Sequence, residues 1–329
     1  MRAMILDACN KPLKMVDLPA PKAGPNEVII QVLACGVCRT DLHVFEGDLP
    51  NPSLPLILGH EIVGKVLEKG EKVKSFEIGD FVGVPWLGEA CGSCKFCLKG
   101  QENLCDEPKF TGYTKNGGFC EITVAHQDFI FHLPHNQDPI HLAPLLCAGL
   151  IGFRSFCMVG EAQKIGLYGF GAAAHILAQI LASLGRKFYA FTKPGDSKAQ
   201  DFARSLGAEW AGGSDEPSPE PLEAAILFAP VGSLVPKALK DVEKGGIVVC
   251  GGIHMSPIPS FPYEILWGER RIQSVANLTR EDGEEFFRIL QKHPVKTHPH
   301  PYPLSQANQA LEDLKKGAFE GAAVLLVTE

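Results

Sequence analysis

The stretch IGLYGFGAAA, residues 165–174, decides the fold of the second half of this chain. Its apolar start predicts a short buried strand, and Gly169, Gly171 and Ala174 follow in the order G-x-G-x-x-A. Isoleucine and leucine then recur at helical spacing, at positions 176, 180, 181 and 184. A strand, a glycine turn and a helix in this order open a dinucleotide-binding βαβ unit.

Each of the three small residues has its own steric reason. Gly169 permits the tight turn, and Gly171 lets the backbone approach a pyrophosphate group. Ala174 stands where a third glycine is common, because helix and strand pack closely there. The helix that follows would offer N–H groups and the positive end of its dipole to the phosphates. A glycine-rich turn without a ligand remains the alternative on this pattern alone.

Beyond the turn, residues alternate between strand and helix patterns. Short apolar runs at 188–191, 224–228, 246–250 and 272–276 predict further strands, and the polar, proline-containing segment 214–221 predicts a surface loop. Such alternation predicts a parallel, doubly wound sheet with helices on both faces.

The first third of the chain and its last fifty residues have a different pattern. Runs at 3–6, 27–32, 62–67 and 80–84 predict strands of a β-rich, barrel-like unit whose loops carry polar and cysteine residues. The closing part predicts two helices and a strand, at 281–292, 305–316 and 322–327. The fold class is therefore α/β, with a β-rich domain and a Rossmann domain.

Three separated residues have the chemistry of a catalytic zinc site. Cys38, His60 and Cys147 would give zinc three ligands and leave one tetrahedral position open for a substrate oxygen. A structural zinc site, in contrast, is closed by four protein ligands.

A second cysteine group lies within a distinct lobe, residues 86–112. Its spacing is C-x₂-C-x₂-C-x₇-C, formed by Cys91, Cys94, Cys97 and Cys105. Four thiolates would close the coordination of a structural zinc and fix a loop that lacks its own core. An iron–sulfur cluster is the alternative, but ferredoxin runs continue with a three-residue gap and a proline after the fourth cysteine. The gap here is seven, and an aspartate follows.

Composition excludes several classes of partner. The chain has 329 residues, a net charge of −7 and 45% hydrophobic residues, which allows two domains and gives no basic surface for nucleic acid. No apolar run reaches the roughly 18 residues of a membrane helix, and the N-terminus has no secretory pattern. We expect a cytoplasmic protein without disulfides. Five further cysteines are expected to be small buried hydrophobic side chains, at positions 9, 35, 120, 157 and 250.

Several motifs in one order resemble the zinc-dependent alcohol dehydrogenases of the medium-chain dehydrogenase/reductase superfamily. They are GVCRTDLH at 36–43, LGHEIVGKV at 58–66, the cysteine group at 91–105, CAG at 147–149 and the glycine turn. Two cysteines and one histidine are also that family's catalytic zinc ligands. The resemblance implies reversible hydride transfer between a primary alcohol or aldehyde and NAD(P), two zinc ions per chain, and a homodimer or homotetramer.

The resemblance also implies a domain order. Residues 1–148 would form a GroES-like catalytic domain that includes the lobe at 86–112. Residues 149–276 would form the Rossmann domain, and residues 277–329 would return to the catalytic domain.

Roles near the zinc follow position by position from the resemblance. Cys38, His60 and Cys147 are similar to the family's zinc ligands, and Glu61 to a carboxylate beside the metal. Asp41 is similar to the residue that orients the histidine ligand and fixes its tautomer. Taken alone, Asp41 would be an ordinary carboxylate at a helix start.

Roles in proton transfer and substrate binding follow in the same way. Thr40 and His43 match a proton relay that leads from the substrate to solvent, and Arg39 matches a contact to the cofactor pyrophosphate. Leu49 and Trp86 match the lining of the substrate pocket. Simple alternatives remain: a turn residue for Thr40, a solvated side chain for His43, and packing at the lobe edge for Trp86.

The chain departs from the family at several cofactor positions. Ile151 and Ala322 stand where many relatives carry a threonine and an arginine, and Arg280 is the candidate that replaces the lost arginine. The second Rossmann strand ends without the usual carboxylate that binds the ribose hydroxyls. Thr192 and Lys193 stand there instead, which favours NADP(H).

The sequence leaves three alternatives open, one for the cofactor and two for the activity. Asp196 lies four residues beyond Thr192, so a folded-back loop would bring a carboxylate to the ribose and favour NAD. Polyol dehydrogenases are an alternative activity, although they often use glutamate as the third zinc ligand, where this chain has Cys147. A non-catalytic protein that only binds zinc or cofactor is the alternative from another class.

Overall fold

A computed structural model describes residues 1–327 of the chain. Residues 328 and 329, the last two of the predicted return segment 277–329, lie outside the described residues. The strands are β1 (Arg2–Leu6), β2 (Lys14–Asp17), β3 (Glu27–Val37), β4 (Leu56–Ile57), β5 (Glu61–Lys69), β6 (Phe81–Val84), β7 (Leu87–Glu89), β8 (Lys109–Phe110), β9 (Ile122–His126), β10 (Phe131–His132), β11 (Lys164–Tyr168), β12 (Lys187–Thr192), β13 (Trp210–Gly213), β14 (Leu222–Leu227), β15 (Val242–Cys250), β16 (Arg271–Ser274), β17 (Pro299–Pro303) and β18 (Ala322–Leu326).

The helices alternate with these strands in the middle of the chain. They are α1 (Arg39–Glu46), α2 (Pro139–Leu142), α3 (Ala148–Val159), α4 (Ala172–Ser183), α5 (Ser197–Ser205), α6 (Leu234–Asp241), α7 (Arg280–Lys292) and α8 (Ala307–Lys316). Short 3₁₀ turns occur at Cys97–Lys99, Glu102–Leu104, Gln127–Phe129, Ala143–Leu146, Tyr263–Ile265 and Leu304–Gln306.

The chain forms two compact units. Of the described residues, unit 1 comprises 1–147, 277–287 and 296–327, and unit 2 comprises 148–276 and 288–295. Residues 288–295 thus lie in unit 2, whereas the sequence placed them in the return segment 277–329; the sequence-based domain bounds stay a prediction.

Unit 1 is built on β3, an eleven-residue strand that is buried along most of its length. Its first half pairs with β9 and its second half with β18, while β5 runs along its other edge. The sheet order is β10-β6-β5-β3-β18-β17, and β2-β1-β4 and β7-β8 form smaller sheets. The end of the chain is thus a strand of the first sheet, which confirms the β-rich unit predicted from both termini.

Unit 2 is a six-stranded parallel sheet in the order β13-β12-β11-β14-β15-β16. Numbered from β11, this is the 3-2-1-4-5-6 order of a Rossmann fold. The predicted doubly wound sheet is therefore confirmed. The sequence patterns missed β13, because its four residues, WAGG, contain two glycines and have weak strand propensity.

Among residues 1–327, no single helix is long and apolar enough to cross a membrane. The consecutive segments 139–146 and 148–159 reach that length and composition only when taken together.

Candidate active site

Cys38 lies where β3 ends and α1 begins, in unit 1. It is the N-cap of α1: its Sγ accepts a hydrogen bond from the backbone N–H of Thr40 at 3.3 Å, and its own N–H donates to Asp41 Oδ2 at 2.9 Å. A cysteine is an unusual cap, but a thiolate accepts hydrogen bonds as a cap requires. The local helix start thus fixes both Cys38 and Asp41.

His60 is placed by a glycine that admits no side chain. Gly59 has φ +96°, and a Cβ there would lie 2.4 Å from the ring of Phe119. The chain turns at this residue, and His60 precedes the first residue of β5, Glu61. His60 and Glu61 are both buried.

Cys147, the last residue of the first segment of unit 1, completes the cluster. It follows the 3₁₀ turn Ala143–Leu146. Cys38 Sγ lies 3.1 Å from His60 Nε2 and 3.9 Å from Cys147 Sγ. The candidate ligand atoms of these three residues and Glu61 all lie within 4.8 Å of one another. Sulfur ligands of a tetrahedral zinc lie about 3.8 Å apart, so the donors fit zinc in both kind and spacing.

Asp41 holds His60 in a fixed orientation. This carboxylate is buried, and its Oδ1 accepts from His60 Nδ1 at 3.2 Å and from the backbone N–H of Gly59 at 3.1 Å. With the ring proton on Nδ1, the lone pair of Nε2 points to the cluster as a metal ligand needs. The role expected for Asp41 thus has a geometric basis.

Burial and mutual contact determine which of these groups carry protons. The contact with Cys147 lowers the pKa of Cys38 well below its usual value against the effect of burial, while the same contact and burial raise the pKa of Cys147. Burial opposes charge on His60, but the negative charges of Cys38 and Asp41 outweigh it and raise the pKa of the imidazole. Burial also raises the pKa of Glu61. A cation that binds here would displace these protons, so its affinity increases with pH.

The four cysteines of the lobe form a second cluster. Their Sγ atoms lie within 4.8 Å of one another, with Cys91 and Cys97 3.9 Å apart. Backbone N–H groups donate to the sulfurs, as from Cys94 to Cys91 at 3.3 Å and from Glu107 to Cys105 at 3.3 Å. The hydrogen bonds that Cys91 accepts from Ser93 and from the backbone N–H of Cys94 lower its pKa to about 6. Four thiolates in a shell of N–H donors fit a structural zinc.

The relay residues lie on α1, directly after the first ligand. Thr40 is largely buried in the first turn, and His43 follows one turn later, half-buried. His43 Nδ1 lies 2.8 Å from Asp48 Oδ2. Arg39, the first residue of α1, is exposed.

Aromatic side chains cover one flank of His60. The Trp86 ring meets the His60 ring edge-on at 5.0 Å between centroids and stacks on Phe110 at 5.1 Å and on Tyr113 at 5.7 Å. The Tyr113 hydroxyl donates to the carbonyl of Pro50, next to Leu49. Trp86 therefore packs at the lobe edge and also contacts His60, a candidate metal ligand. Its role in lining the substrate pocket stays a prediction. Phe110 and Tyr113 were missed because no local pattern marks an aromatic residue that stacks on one 24 or 27 positions earlier.

The glycine turn of unit 2 has the geometry of a phosphate cradle. Gly169 has φ +88°, and a Cβ there would lie 2.8 Å from the backbone nitrogen of Ala229. Gly171 is the N-cap of α4, where no side chain caps the helix, and a Cβ on it would meet nothing within 4 Å. Ala174 is fully buried. The open space beside Gly171 and the uncapped N–H groups of α4 fit the pyrophosphate of a dinucleotide.

At the end of β12, three residues bear on cofactor choice. The Thr192 hydroxyl is buried, donates to the carbonyl of Gly212 at 3.2 Å and accepts from Gln200 at 3.1 Å. Its hydroxyl is thus already used within the sheet. Lys193 is exposed. Asp196 caps α5 by accepting from the N–H of Ala199 at 3.1 Å, so this carboxylate has a structural role.

Arg280 has other partners than the cofactor contact expected of it. Its Nε and its backbone N–H both donate to Glu102 Oε1, at 3.0 and 2.9 Å, and its guanidinium lies 5.5 Å from the centroid of the Phe129 ring. Glu102 is buried, so Arg280 neutralises a carboxylate that would be costly unpaired. Ile151 lies on α3 and Ala322 begins β18, and neither side chain can donate a hydrogen bond to a cofactor.

An open donor set of two cysteines and a histidine, a closed set of four cysteines and a Rossmann sheet with an uncapped glycine turn define a class. They are the parts of a metal- and dinucleotide-dependent oxidoreductase. Residues 24–135 match the family model described as alcohol dehydrogenase GroES-like domain.

Relatives cover nearly the whole chain. A protein of Mycobacterium tuberculosis (strain CDC 1551 / Oshkosh), described as a probable alcohol dehydrogenase AdhA, is 44% identical over 324 residues, 96% of this chain and 93% of the relative. An alcohol dehydrogenase of Geobacillus stearothermophilus is 33% identical over 340 residues and covers 100% of both chains. The structure of acetophenone reductase from Geotrichum candidum in complex with NAD is similar at a TM-score of 0.87 and 28% identity, over 99% of this chain and 97% of that chain.

These comparisons and the site agree. The chain belongs to the zinc alcohol dehydrogenase family of the medium-chain dehydrogenases/reductases.

Proposed function

We propose that the protein catalyses reversible hydride transfer between a primary alcohol or its aldehyde and a nicotinamide dinucleotide. The observation that carries the proposal is the cluster of Cys38, Cys147 and the buried His60, with Asp41 behind the histidine. A closed structural site would need no such orienting carboxylate and would have a fourth cysteine or histidine in place of Glu61.

Each residue of the cluster has a defined task. Cys38, His60 and Cys147 would hold zinc, which supplies a Lewis acid that lowers the pKa of a bound alcohol. Glu61 would stay beside the metal as a reserve oxygen ligand. The Thr40 hydroxyl would accept the proton of the alcohol, and His43 would pass that proton to solvent, since imidazole gains and loses protons near neutral pH.

Unit 2 would hold the cofactor, whose nicotinamide supplies or accepts the hydride. The N–H groups at the start of α4 and the backbone at Gly169 and Gly171 would bind the pyrophosphate. For Arg39, the contact to the cofactor pyrophosphate that the resemblance implies stays a prediction. Arg280 has a smaller part in this proposal, because it is paired with Glu102.

We assign NADP(H) as the preferred cofactor. β12 does not end in a carboxylate, and the carboxylate of Asp196 caps a helix. Neither position would therefore repel a 2′-phosphate. Lys193 is exposed and able to pair with the phosphate, whereas the Thr192 hydroxyl already bonds the main chain. NAD(H) is the alternative, and the acetophenone reductase structure is in complex with NAD.

The substrate would be a medium-sized or aromatic primary alcohol. The stacked rings of Trp86, Phe110 and Tyr113 form a flat apolar surface beside His60, and Leu49 packs on the core nearby. Flat apolar surfaces of this kind favour planar or apolar substrates over the many hydroxyls of a polyol. The third thiolate ligand, Cys147, is a second argument against polyol chemistry.

We further propose a cytoplasmic homodimer or homotetramer. The edge strand β16 is exposed along its length and pairs on one side only, with β15. Exposed apolar side chains lie on this strand, at Ile272, and in the segment that leads to it, at Tyr263 and Trp267. An exposed apolar edge is a template for pairing with a second chain.

A single set of assays tests the activity. Zinc-loaded protein is given primary alcohols, aldehydes and polyols with NAD⁺ or NADP⁺ and their reduced forms, and the absorbance of the reduced nicotinamide is followed. We expect oxidation of primary alcohols, most efficiently for aromatic ones, and two zinc ions per chain by elemental analysis, one for each cluster. A preference for polyols, or about one zinc in fully active protein, would contradict the proposal.

A further inference from the structure

We infer that Asp48 is the positioning residue for His43 in proton transfer. This inference deepens the proposed function and rests on it, since His43 matters only if the enzyme must release a substrate proton. No motif singles out Asp48, which lies beyond α1 in a loop. Its link to His43 comes from the structure: its Oδ2 lies 2.8 Å from His43 Nδ1.

The main chain brings the two side chains together. Gly47 ends α1 with φ +79°, and its N–H donates to the carbonyls of His43 and Val44. The backbone N–H of Asp48 then donates to the carbonyl of His43 at 2.9 Å. This left-handed turn reverses the chain, so the Asp48 carboxylate comes back over the last turn of α1, where His43 lies. Glycine is required at position 47 because few side chains adopt this φ.

Helix stability does not account for this carboxylate. The carbonyl end of a helix carries partial negative charge, so an acid beyond it is unfavourable while a protonated histidine within the last turn is favourable. Nearby, Glu46 pairs with Lys315 of α8, which neutralises that acid. Asp48 is half-exposed and pairs with His43 instead. The arrangement is unfavourable for Asp48 alone and favourable for a His43 that becomes a cation.

The hydrogen bond determines which nitrogen of His43 exchanges the proton. A carboxylate can only accept, so Nδ1 carries the hydrogen and Nε2 keeps its lone pair. In alcohol oxidation, an O–H bond of the relay breaks and an Nε2–H bond forms, which leaves an imidazolium next to the Asp48 carboxylate. The imidazolium then loses the Nε2 proton to water or buffer and returns to its starting tautomer. An aspartate orients and stabilises a catalytic histidine in this way in Ser-His-Asp triads.

The first test reads the tautomer directly and does not depend on activity. Nitrogen NMR of the full chain with labelled histidine reports which ring nitrogen is protonated, and the His43 signals are assigned by their loss in His43→Ala. We expect Nδ1–H in the wild type and a mixture of both tautomers in Asp48→Ala. A wild-type His43 protonated on Nε2 at neutral pH would overturn the inference, even if the protein oxidised no alcohol.

The second test is a double-mutant cycle on turnover. Asp48→Ala should lower kcat roughly five- to twentyfold with KM changed less than about twofold, because a relay terminus contributes less than an irreplaceable general base. In a His43→Ala background, the same substitution should have no further effect. Independent, multiplying losses would overturn the inference.

Two further variants separate positioning from stability. Asp48→Asn keeps the shape and an acceptor oxygen but removes the charge, so it should retain Nδ1–H and lose part of kcat. Asp7→Ala is the matched control, because Asp7 is an equally exposed carboxylate, 49% for both side chains, paired with Lys14 at 2.7 Å. It should leave kcat unchanged. An equal loss in Asp7→Ala would assign the effect to surface charge and contradict the inference.

Discussion

Single side chains in this protein serve the fold and the chemistry together. Cys38 is the N-cap of α1 and a metal-ligand candidate, and Asp41 bonds the Cys38 N–H, the Gly59 N–H and the His60 ring. Loss of Asp41 would therefore remove the hydrogen bond at the start of α1 and the one that orients His60. Cys147 is the C-cap residue of the 3₁₀ turn Ala143–Leu146 through its main chain, which a substitution of its side chain keeps, so it is the cleaner position at which to separate chemistry from folding.

We predict that Cys147→Ala abolishes turnover while the protein stays folded, because one of three zinc ligands is lost without removal of a cap. Elemental analysis should find one zinc per chain in place of two. The contrasting variant is Cys97→Ala, which should also lose one zinc but lower the thermal midpoint by at least about 5 °C, because the lobe has little core of its own. Cys157→Ala is the control and should change neither, because Cys157 lies exposed on α3. The expectation that the five remaining cysteines are all buried is wrong for Cys157 and for the half-buried Cys9, and confirmed for the other three. Full activity in Cys147→Ala would reject the assigned ligand set.

Lys193 gives a test of cofactor choice. We predict that Lys193→Ala raises KM for NADPH about tenfold and KM for NADH less than twofold, because a charge-assisted contact to the 2′-phosphate is lost. Lys187→Ala is the matched control, as that exposed lysine lies at the opposite end of the same strand. Equal changes for both cofactors, or a wild type that prefers NADH tenfold, would transfer the role to Asp196.

Secondary-structure elements are held in place by polar contacts as well as by apolar packing. The segment 214–221, predicted as a surface loop, is fixed at Glu220, which accepts from the Tyr189 hydroxyl and from Lys164. Ser218 N–H also donates to Asp241 at 3.3 Å. The hydrogen bonds from Lys164 and Tyr189 lower the pKa of Glu220. The loop therefore joins β11 and β12 through a charged group.

This lowered pKa predicts how stability changes in acid. Because the folded-state pKa lies below the unfolded value of about 4.3, Glu220 adds stability above that pH and loses it as the pH falls through the folded pKa. We predict that Glu220→Gln lowers the thermal midpoint at neutral pH and flattens its fall between about pH 6 and pH 3. Glu161→Gln, at a carboxylate 98% exposed beside Arg186, should leave the curve unchanged. Parallel acid curves for wild type and Glu220→Gln would refute the assignment.

At the level of the whole chain, the two units differ in which side chains they expose. Unit 1 buries His60 and leaves the candidate ligands Cys38 and Cys147 partly exposed, whereas unit 2 leaves β16 as an edge with Tyr263 and Trp267 about two-thirds exposed. A pocket near this edge is lined by Lys244, Gly245 and residues 266–270 as well as Tyr263. Ordinary surfaces carry single apolar side chains, so these residues support the proposed contact with a second copy.

We predict that Ile272→Lys shifts the protein from an oligomer towards monomer in light scattering, because a lysine on an edge strand prevents edge-to-edge pairing. Ile78→Lys is the control, since Ile78 is a more exposed isoleucine of unit 1, at 67% against 37%. It should leave the mass unchanged. A wild-type monomer at micromolar concentration would refute the proposed assembly.

Most of the fold could be read from local sequence because its signals are local. The β11–turn–α4 unit depends on residues 165–184, which are neighbours in the chain, and the strands of the sheet are short apolar runs between turns. The spacing of Cys91, Cys94, Cys97 and Cys105 likewise predicts one metal cluster, since the geometry of zinc limits which spacings can close around it. Cys38, His60 and Cys147 are far apart in the chain and were predicted from their donor types and from the family resemblance. The strand β13, WAGG, was not predicted, because it pairs with β12 through its backbone and has no hydrophobic pattern.

Contacts between distant residues could be found only in the tertiary structure. Tyr113 stacked on Trp86 and Glu102 bonded to Arg280, 178 residues away, have no marker in the chain around them. Even Asp48, five residues beyond His43, is brought back to it only by the left-handed turn at Gly47. A charged or aromatic side chain can form hydrogen bonds, ion pairs or ring contacts with many partners, and the packing of the whole unit determines which of these contacts forms. Periodicity and ligand spacing thus specify the elements and the metal donors, while long-range packing decides which polar groups tune them.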